Sequence, residues 1–171
     1  MKRKTLKPIS FRICILICSL VLVINAKAQT TNFTGDWKVN LEKSDFGTLP
    51  KSFAAAEFKI IQNQSSINID RIIVFRDSST KSEEILNFDG SITISDFKIK
   101  KKEASIKWST QGKSLIETAI QKFINKDGKN DQYQSVETFS LSEDKKTLFY
   151  VRQVTGNDMN FTVKAEYDKI E

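Results

Sequence analysis

The sequence predicts an all-β fold, an antiparallel up-and-down β-barrel of about eight to ten strands that follows a cleaved signal peptide. Three observations predict it. Short runs of alternating apolar and polar residues recur along the chain, and tight-turn residues separate them at regular intervals. Proline is nearly missing, with only Pro50 after the leader. We therefore expect a signal peptide at residues 1–28 and one β-barrel domain at residues 29–171.

The leader has the three parts of a secretory signal peptide. Basic residues at positions 2, 3, 4 and 7 precede a 12-residue apolar run from Ile13 to Ile24, and Ala26-Lys27-Ala28 forms a cleavage site. The apolar run is shorter than the ~20 residues that cross a bilayer as a helix. We expect cleavage before Gln29, no integral membrane span in the mature chain, and a periplasmic or secreted location.

Removal of the leader changes the cysteine count and the net charge. Both cysteines, Cys14 and Cys18, lie inside the apolar run, so the mature chain has neither disulfides nor thiol chemistry. The precursor carries a net charge of +6, but six of its 27 basic residues and none of its 21 acidic residues belong to the leader. The mature chain is therefore neutral, and we expect no nucleic-acid partner. The basic run at residues 98–102, KIKKK, is interpreted as a solvated strand face or hairpin.

Nine strands are predicted in order along the mature chain. The clearest is Phe161 to Asp168, which alternates apolar and polar residues at every step. Asp-Gly pairs at residues 89–90 and 127–128 are typical of hairpin turns, because a positive φ costs little there. The other predicted strands begin near Gly35 and extend over Ala56–Gln62, Ile67–Phe75, Ser82–Phe88, Ala104–Trp108, Leu115–Ile124, Tyr133–Leu141 and Thr147–Val154.

Strands joined by tight turns form a meander, and closing it into a barrel removes its exposed edges. The one long connection, Glu42 to Ser52, follows the first strand. In a barrel that holds a ligand, a connection at this position can cover the mouth. We expect it to act as a lid.

The first strand opens with GDWKVNLEKSDFG, followed by LPKS. This phrase resembles a group of exported bacterial lipocalin-like proteins, mostly uncharacterised, and the resemblance implies a Gram-negative cell. In lipocalins the tryptophan of the G-x-W element plugs the closed end of the barrel, and a late arginine packs across it. The resemblance implies that Gly35 and Trp37 form this plug. The last predicted strand has no arginine, only Lys164 on its polar side, so Arg152 in the strand before it is the candidate partner.

Three rows of residues are predicted to face the barrel interior. They are Phe161, Val163, Ala165 and Tyr167; Ala104, Ile106 and Trp108; and Ile67, Ile69, Arg71, Ile73 and Phe75. Arg71 interrupts the last row, and a charge inside a barrel is costly unless it is paired. It either anchors a ligand carboxylate, pairs with Glu117 or Glu84, or marks a one-residue slip in the predicted phase.

The candidate ligand-binding residues are Arg71, Phe75, Trp108 and Tyr150. The aromatic members of this set either contact a ligand or pack the interior. A row of Ile116, Thr118 and Ile120 and the small residues Ala54–Ala56 would leave room for a cavity. An eight-stranded barrel is either filled by side chains or just wide enough for one small ligand.

The residue types argue against catalysis. The chain contains no histidine, which removes the commonest general base and transition-metal ligand. We predict no enzyme activity, no catalytic residues, no metal site and no cofactor. The predicted function is binding or carriage of a small hydrophobic ligand of the fatty acid, lipid or isoprenoid type. The alternative is a packed barrel that acts as a structural or interaction module with a protein partner in the cell envelope.

Overall fold

The structure of the protein, a computed structural model, describes residues 31–97, 100–157 and 159–170. The predicted signal peptide, Cys14, Cys18 and the cleavage site before Gln29 lie outside these residues. Ten strands and one short 3-10 helix make up the fold. The strands are β1 (Gly35–Asp45), β2 (Glu57–Gln62), β3 (Ser66–Phe75), β4 (Ser78–Asn87), β5 (Thr93–Phe97), β6 (Lys100–Trp108), β7 (Ser114–Ile124), β8 (Asn130–Leu141), β9 (Thr147–Gly156) and β10 (Asn160–Ile170), and the helix, η1, is Lys51–Phe53.

All ten strands belong to one antiparallel sheet in the order β4-β3-β2-β1-β10-β9-β8-β7-β6-β5. The sheet curves into a nearly closed barrel, so that the edge strands β4 and β5 approach each other along a seam. Thr93 Oγ1 donates a hydrogen bond of 3.0 Å to the Ile85 carbonyl across it. The predicted fold class is confirmed. Pairing of β1 with β10 joins the first strand to the last and makes the barrel continuous everywhere except at the seam.

The nine predicted strands are all present, and the structure adds β5 and lengthens β4 and β6 at their starts. The turn between β3 and β4 consists of Arg76 and Asp77, with Arg76 at a φ of 53°. Glycine is the usual sequence signal for a left-handed conformation, and this turn contains none. The sequence therefore predicts the start of β4 too late. It also does not predict β5, which this turn does not explain.

The inward rows on β3, β6 and β10 agree with the prediction, because their residues are the buried members of these strands over most of their length. On β7 the predicted phase is wrong. Leu115, Glu117 and Ala119 are buried, whereas Ile120 is exposed. Both faces of β7 carry apolar residues, so alternation alone gave no preference. Glu117, one of the two predicted partners of Arg71, is buried because it pairs with Arg71 and Lys102 inside the barrel.

One end of the barrel is closed by aromatic packing around Trp37, as predicted. Trp37 is fully buried, and its Nε1 donates a hydrogen bond of 3.1 Å to the Phe33 carbonyl. The prediction that Arg152 packs across Trp37 is wrong, since the ammonium group of Lys169 lies over the indole at 5.4 Å from the ring centre. A Cβ at Gly35 would come within 2.8 Å of Lys169 Cε, so glycine at this position allows the close approach.

Trp108 completes this closed end. Its ring lies 6.0 Å from that of Phe33 and 5.4 Å from that of Phe88. The barrel interior is therefore filled at the end where β1 begins.

Among the described residues, no helix has the length and apolar composition that a membrane span requires.

Candidate functional site

The opposite end of the barrel is covered by the connection between β1 and β2. Phe53, at the end of η1, packs edge-on against Phe161 at a ring distance of 4.9 Å. Two hydrogen bonds from the barrel wall hold the backbone that follows: Arg152 Nη1 to the Phe53 carbonyl at 3.1 Å and the Tyr167 hydroxyl to the Ala55 carbonyl at 2.8 Å. This connection, residues 46–56, starts later than the predicted one, because Glu42 to Asp45 belong to β1. It is attached to the wall by side chains that face the interior, and we call it the lid.

A cavity of about 210 Å³ lies beneath this cover. One side is apolar and is formed by Phe53, Ala54, Ala55, Phe58 and Ile73. The other side is charged and is formed by Arg71, Glu84, Lys102, Glu137 and Arg152. Lys100 and Glu83, which are exposed, also line the cavity, so it reaches solvent near the start of β6. One wall of the cavity is therefore apolar, and the other, which we call the ionic wall, is charged.

Arg71 is the centre of the ionic wall. From β3 it reaches across the interior, where Nη2 donates to Glu117 Oε2 at 2.6 Å and to Glu137 Oε2 at 3.1 Å. Glu117 and Glu137 are directly opposite each other on β7 and β8. Like charges in that position repel each other. The Arg71 guanidinium group lies between the two carboxylates and offsets their repulsion. It also links β3 to β7 and β8 across the barrel.

Lys102 also bridges two carboxylates, and it does so at the seam. Its Nζ donates to Glu117 Oε1 and to Glu84 Oε2, both at 2.6 Å. Arg71 Nη1 also donates to Glu84 Oε2, at 3.0 Å. Glu84 is on β4 and Lys102 on β6, so this ion pair connects the two sides of the barrel where the ladder of backbone hydrogen bonds is interrupted.

Arg152 is the third cation of the cluster. Its Nε lies 3.5 Å from Glu137 Oε1, and its Nη1 binds the lid backbone at Phe53. Three buried or nearly buried cations thus face three buried carboxylates, those of Glu84, Glu117 and Glu137. We call these six groups the charge cluster. Its net charge is zero when every group is ionised.

The pKa values of the two facing carboxylates, Glu117 and Glu137, are shifted in opposite directions from the usual value of a glutamate. Burial pushes the pKa of Glu137 upward, but the combined attraction of Arg71, Arg152 and Lys102 is stronger and lowers the pKa to about 2. Burial raises the pKa of Glu117 above its usual value, and Arg71 opposes this only in part. Of the two, Glu117 is therefore the carboxylate that takes up a proton first as the pH falls.

Below the cluster lies a floor of four aromatic rings. Phe58 contacts Phe139, Tyr150 and Tyr167 at ring distances between 4.8 and 5.7 Å. Burial raises the pKa of both Tyr150 and Tyr167, so their hydroxyl groups stay protonated. This floor separates the cavity from the aromatic packing around Trp37.

Two of the four predicted ligand-binding residues line the cavity, namely Arg71 and Tyr150. Phe75 does not: it is 54% exposed at the tip of the β3–β4 hairpin, where its ring faces the Arg76 guanidinium group. Trp108 does not either, since it packs at the closed end. Of the alternatives for Arg71, pairing with Glu117 and Glu84 is confirmed, and the phase slip is wrong.

Sequence reasoning missed Lys102 and Glu137 as interior residues. Lys102 was assigned with the rest of the KIKKK run to a solvated face, but it shares its face of β6 with Ala104 and Ile106 and is mostly buried. Glu137 lies between Ser135 and Phe139 on the buried face of β8. Their positions in phase with apolar residues were the available signal.

Among the described residues, no group of three or more acidic, cysteine or histidine side chains is arranged to hold a metal ion. Comparison of the chain with protein-family models, with curated proteins and with solved structures finds no match.

Proposed function

We propose that this protein is an exported, lipocalin-like β-barrel that binds or carries a small hydrophobic ligand of the fatty acid, lipid or isoprenoid type. The observation that carries the proposal is the cavity between the lid and the aromatic floor. A concave site with apolar walls and a few convergent polar groups is typical of small-molecule binding. The apolar wall would take the hydrocarbon part, and the charge cluster would take the polar end.

The cavity volume limits the ligand. Typical sites for drug-sized molecules have volumes of ~300–1,000 Å³, and this cavity has about 210 Å³. A ligand smaller than a typical drug-sized molecule would therefore fit inside, and a longer chain would extend through the mouth beside Lys100.

The proposed location is the periplasm or the extracellular space of a Gram-negative cell. The leader-like residues 1–28 and the neutral, cysteine-free remainder of the chain support it. A carrier there would shield an apolar molecule from water during transfer.

Native mass spectrometry of residues 29–171, purified from a bacterial periplasm and extracted with solvent, tests the proposal. A stoichiometric adduct of lipid-like mass is the expected result. Ser82 lines the cavity directly opposite Arg71, so Ser82→Phe should fill the space and abolish the adduct. Ser79→Phe on the exposed part of the same strand is the matched control and should retain it.

A clean apo mass, together with no response to an environment-sensitive apolar dye, would contradict the binding function. The alternative, a module that interacts with an envelope protein, would then gain support. The exposed isoleucines beside the seam favour that alternative: Ile92 and Ile94 are 67% and 59% exposed. Single exposed apolar residues are common, whereas a contiguous patch marks a binding surface.

A further inference from the structure

The charge cluster limits the chemistry of the ligand's polar group more closely than the shape of the cavity does. Its three cations and three carboxylates are already matched to each other within the barrel. Lys100 and Glu83 line the solvent side of the cavity, and the Glu83 carboxylate accepts a hydrogen bond of 3.1 Å from Asn68 Nδ2. A ligand that carried its own charge would leave the interior unbalanced, and an unmatched buried charge is costly.

Two buried polar atoms on cavity-lining residues have no hydrogen-bond partner among the described residues, and the acceptor of the two belongs to Glu84. Glu84 is 6% exposed, and its Oε2 accepts from both Arg71 and Lys102, but its Oε1 is buried without a hydrogen bond. A carboxylate oxygen only accepts hydrogen bonds. Leaving it unpaired costs free energy, which a ligand that donates a hydrogen bond would recover.

The Nε of Arg152 is the other partnerless buried atom on a cavity-lining residue. It lies 3.5 Å from Glu137 Oε1, so its charge is already matched. The other two cations of the charge cluster, Arg71 and Lys102, donate to carboxylates at 2.6 to 3.1 Å. An unpaired acceptor therefore remains on a cavity-lining side chain, that of Glu84, whereas the cations of the charge cluster are already engaged.

We propose that the cavity selects a small uncharged amphiphile whose hydroxyl group donates a hydrogen bond to Glu84 Oε1, and that it discriminates against the corresponding carboxylate. This inference rests on the proposed binding function and narrows its ligand class to an alcohol, which excludes the fatty-acid type at neutral pH. The hydrocarbon part lies against Phe53, Phe58 and Ile73.

Titration at pH 7.5 with 1-hexanol, hexanoate and hexylammonium, followed by amide chemical shifts in NMR spectra, tests this selection. The three probes share one chain and differ only in the charge and chemistry of the head group. For the unaltered protein we expect hexanol to bind at least tenfold more tightly than hexanoate or hexylammonium. Tighter binding of hexanoate would overturn the inference and leave the proposed function standing. Failure of every probe to shift cavity resonances would contradict both.

Glu84→Gln provides the decisive variant. The amide keeps the shape of the side chain and an oxygen for Arg71 and Lys102, but it places an N–H donor in the cavity and leaves one excess positive charge. We expect hexanol to lose affinity and hexanoate to gain it, so that the preference reverses. Glu103→Gln, which removes the same charge from the outer face of β6, should change neither affinity. An unchanged preference in Glu84→Gln would contradict the assignment of Glu84.

A second variant covers the case in which Glu84→Gln does not fold. Lys102→Met leaves one excess negative charge in the cluster. We expect it to weaken hexanoate further and to make hexylammonium the tightest of the three probes. A Lys102→Met protein with the affinity order of the unaltered protein would show that charge balance does not control selection.

Discussion

The two ends of the barrel are stabilised by different physics. The closed end around Trp37 is filled by rings and aliphatic side chains, with a single cation, that of Lys169, over the indole. The covered end encloses a cavity, and six charged groups span its width. Apolar contacts are roughly additive and independent of pH. Each member of a buried charge cluster depends on its partners, because removal of one leaves another charge uncompensated.

This difference suggests a division of labour. The packed end stabilises the domain without disulfides. The charged end contributes less stability, but it contains the cavity and connects the strands at the seam through side chains. The following predictions test this division, from the largest expected effect to the smallest.

Trp37→Ala should have the largest effect on stability. It removes a fully buried indole and its hydrogen bond to Phe33, and truncation of a large buried aromatic residue costs about 3–5 kcal/mol. Urea denaturation measures the loss, and hexanol affinity should stay unchanged. A thermal midpoint lowered by only a degree or two would show that the closed end is not the main source of stability.

Arg71→Met should cost about 3 kcal/mol at pH 7.5, because Glu117 and Glu137 lose the cation between them. The variant has one excess negative charge, which raises the pKa of Glu117 further. A carboxylate with a raised folded-state pKa destabilises the fold as the pH rises, so the deficit should shrink between pH 7.5 and pH 5.

The double variant Arg71→Met/Glu117→Gln restores charge balance and is the matched control for this interpretation. It should recover part of the stability lost in Arg71→Met at pH 7.5, and its pH dependence should be flatter. An additive loss in the double variant would mean that the two residues do not interact as the structure indicates.

Acidification should weaken the fold through Glu137. Its pKa of about 2 lies below the usual 4.5, so its contribution is fully present above pH 4.5 and is lost as the pH falls toward 2. The loss is on the order of 3 kcal/mol, partly offset by Glu117, which contributes in the opposite direction. Unfolding free energies between pH 6 and pH 2 measure it. Glu137→Gln should have a flatter acid limb, whereas Glu42→Gln at an exposed site should follow the unaltered protein.

Phe53→Ala should affect ligand exchange more than stability. Phe53 is half-buried, and its ring holds the lid against Phe161, so we expect a loss of about 1–2 kcal/mol and faster exchange of hexanol. NMR line shapes report the exchange rate. Slow exchange that persists in this variant would show that the lid does not control access.

Lys169→Met should have the smallest effect. A cation over an indole is worth about 0.5–1 kcal/mol at an exposed site, and methionine retains part of the packing. Trp37 fluorescence should shift in this variant and stay unchanged in Arg152→Met, because Arg152 contacts the lid and not the indole. A response only to Arg152→Met would contradict the placement of Lys169.

Local patterns in the sequence were sufficient for the fold class and for part of the interior. Alternation predicted nine of the strands and the inward rows that contain Ile69, Arg71 and Tyr167. It failed on β7, where both faces carry apolar residues, and at the β3–β4 turn, where Arg76 adopts a conformation expected of glycine. Both failures occurred where the local signal was ambiguous.

The resemblance of the first strand to lipocalin-like proteins implied that Trp37 closes one end. The sequence by itself determined that the chain forms an up-and-down barrel and that Arg71 needs a partner. These properties follow from alternation with a period of two and from the cost of an unpaired charge, and both act within one strand. Only the tertiary structure decided which residues meet. Glu117 and Glu137 approach Arg71 across the barrel, and Lys102 reaches Glu84 across the seam. Strand register and barrel closure set these distances, and residues 13 to 66 positions apart in the chain carry no local sign of them.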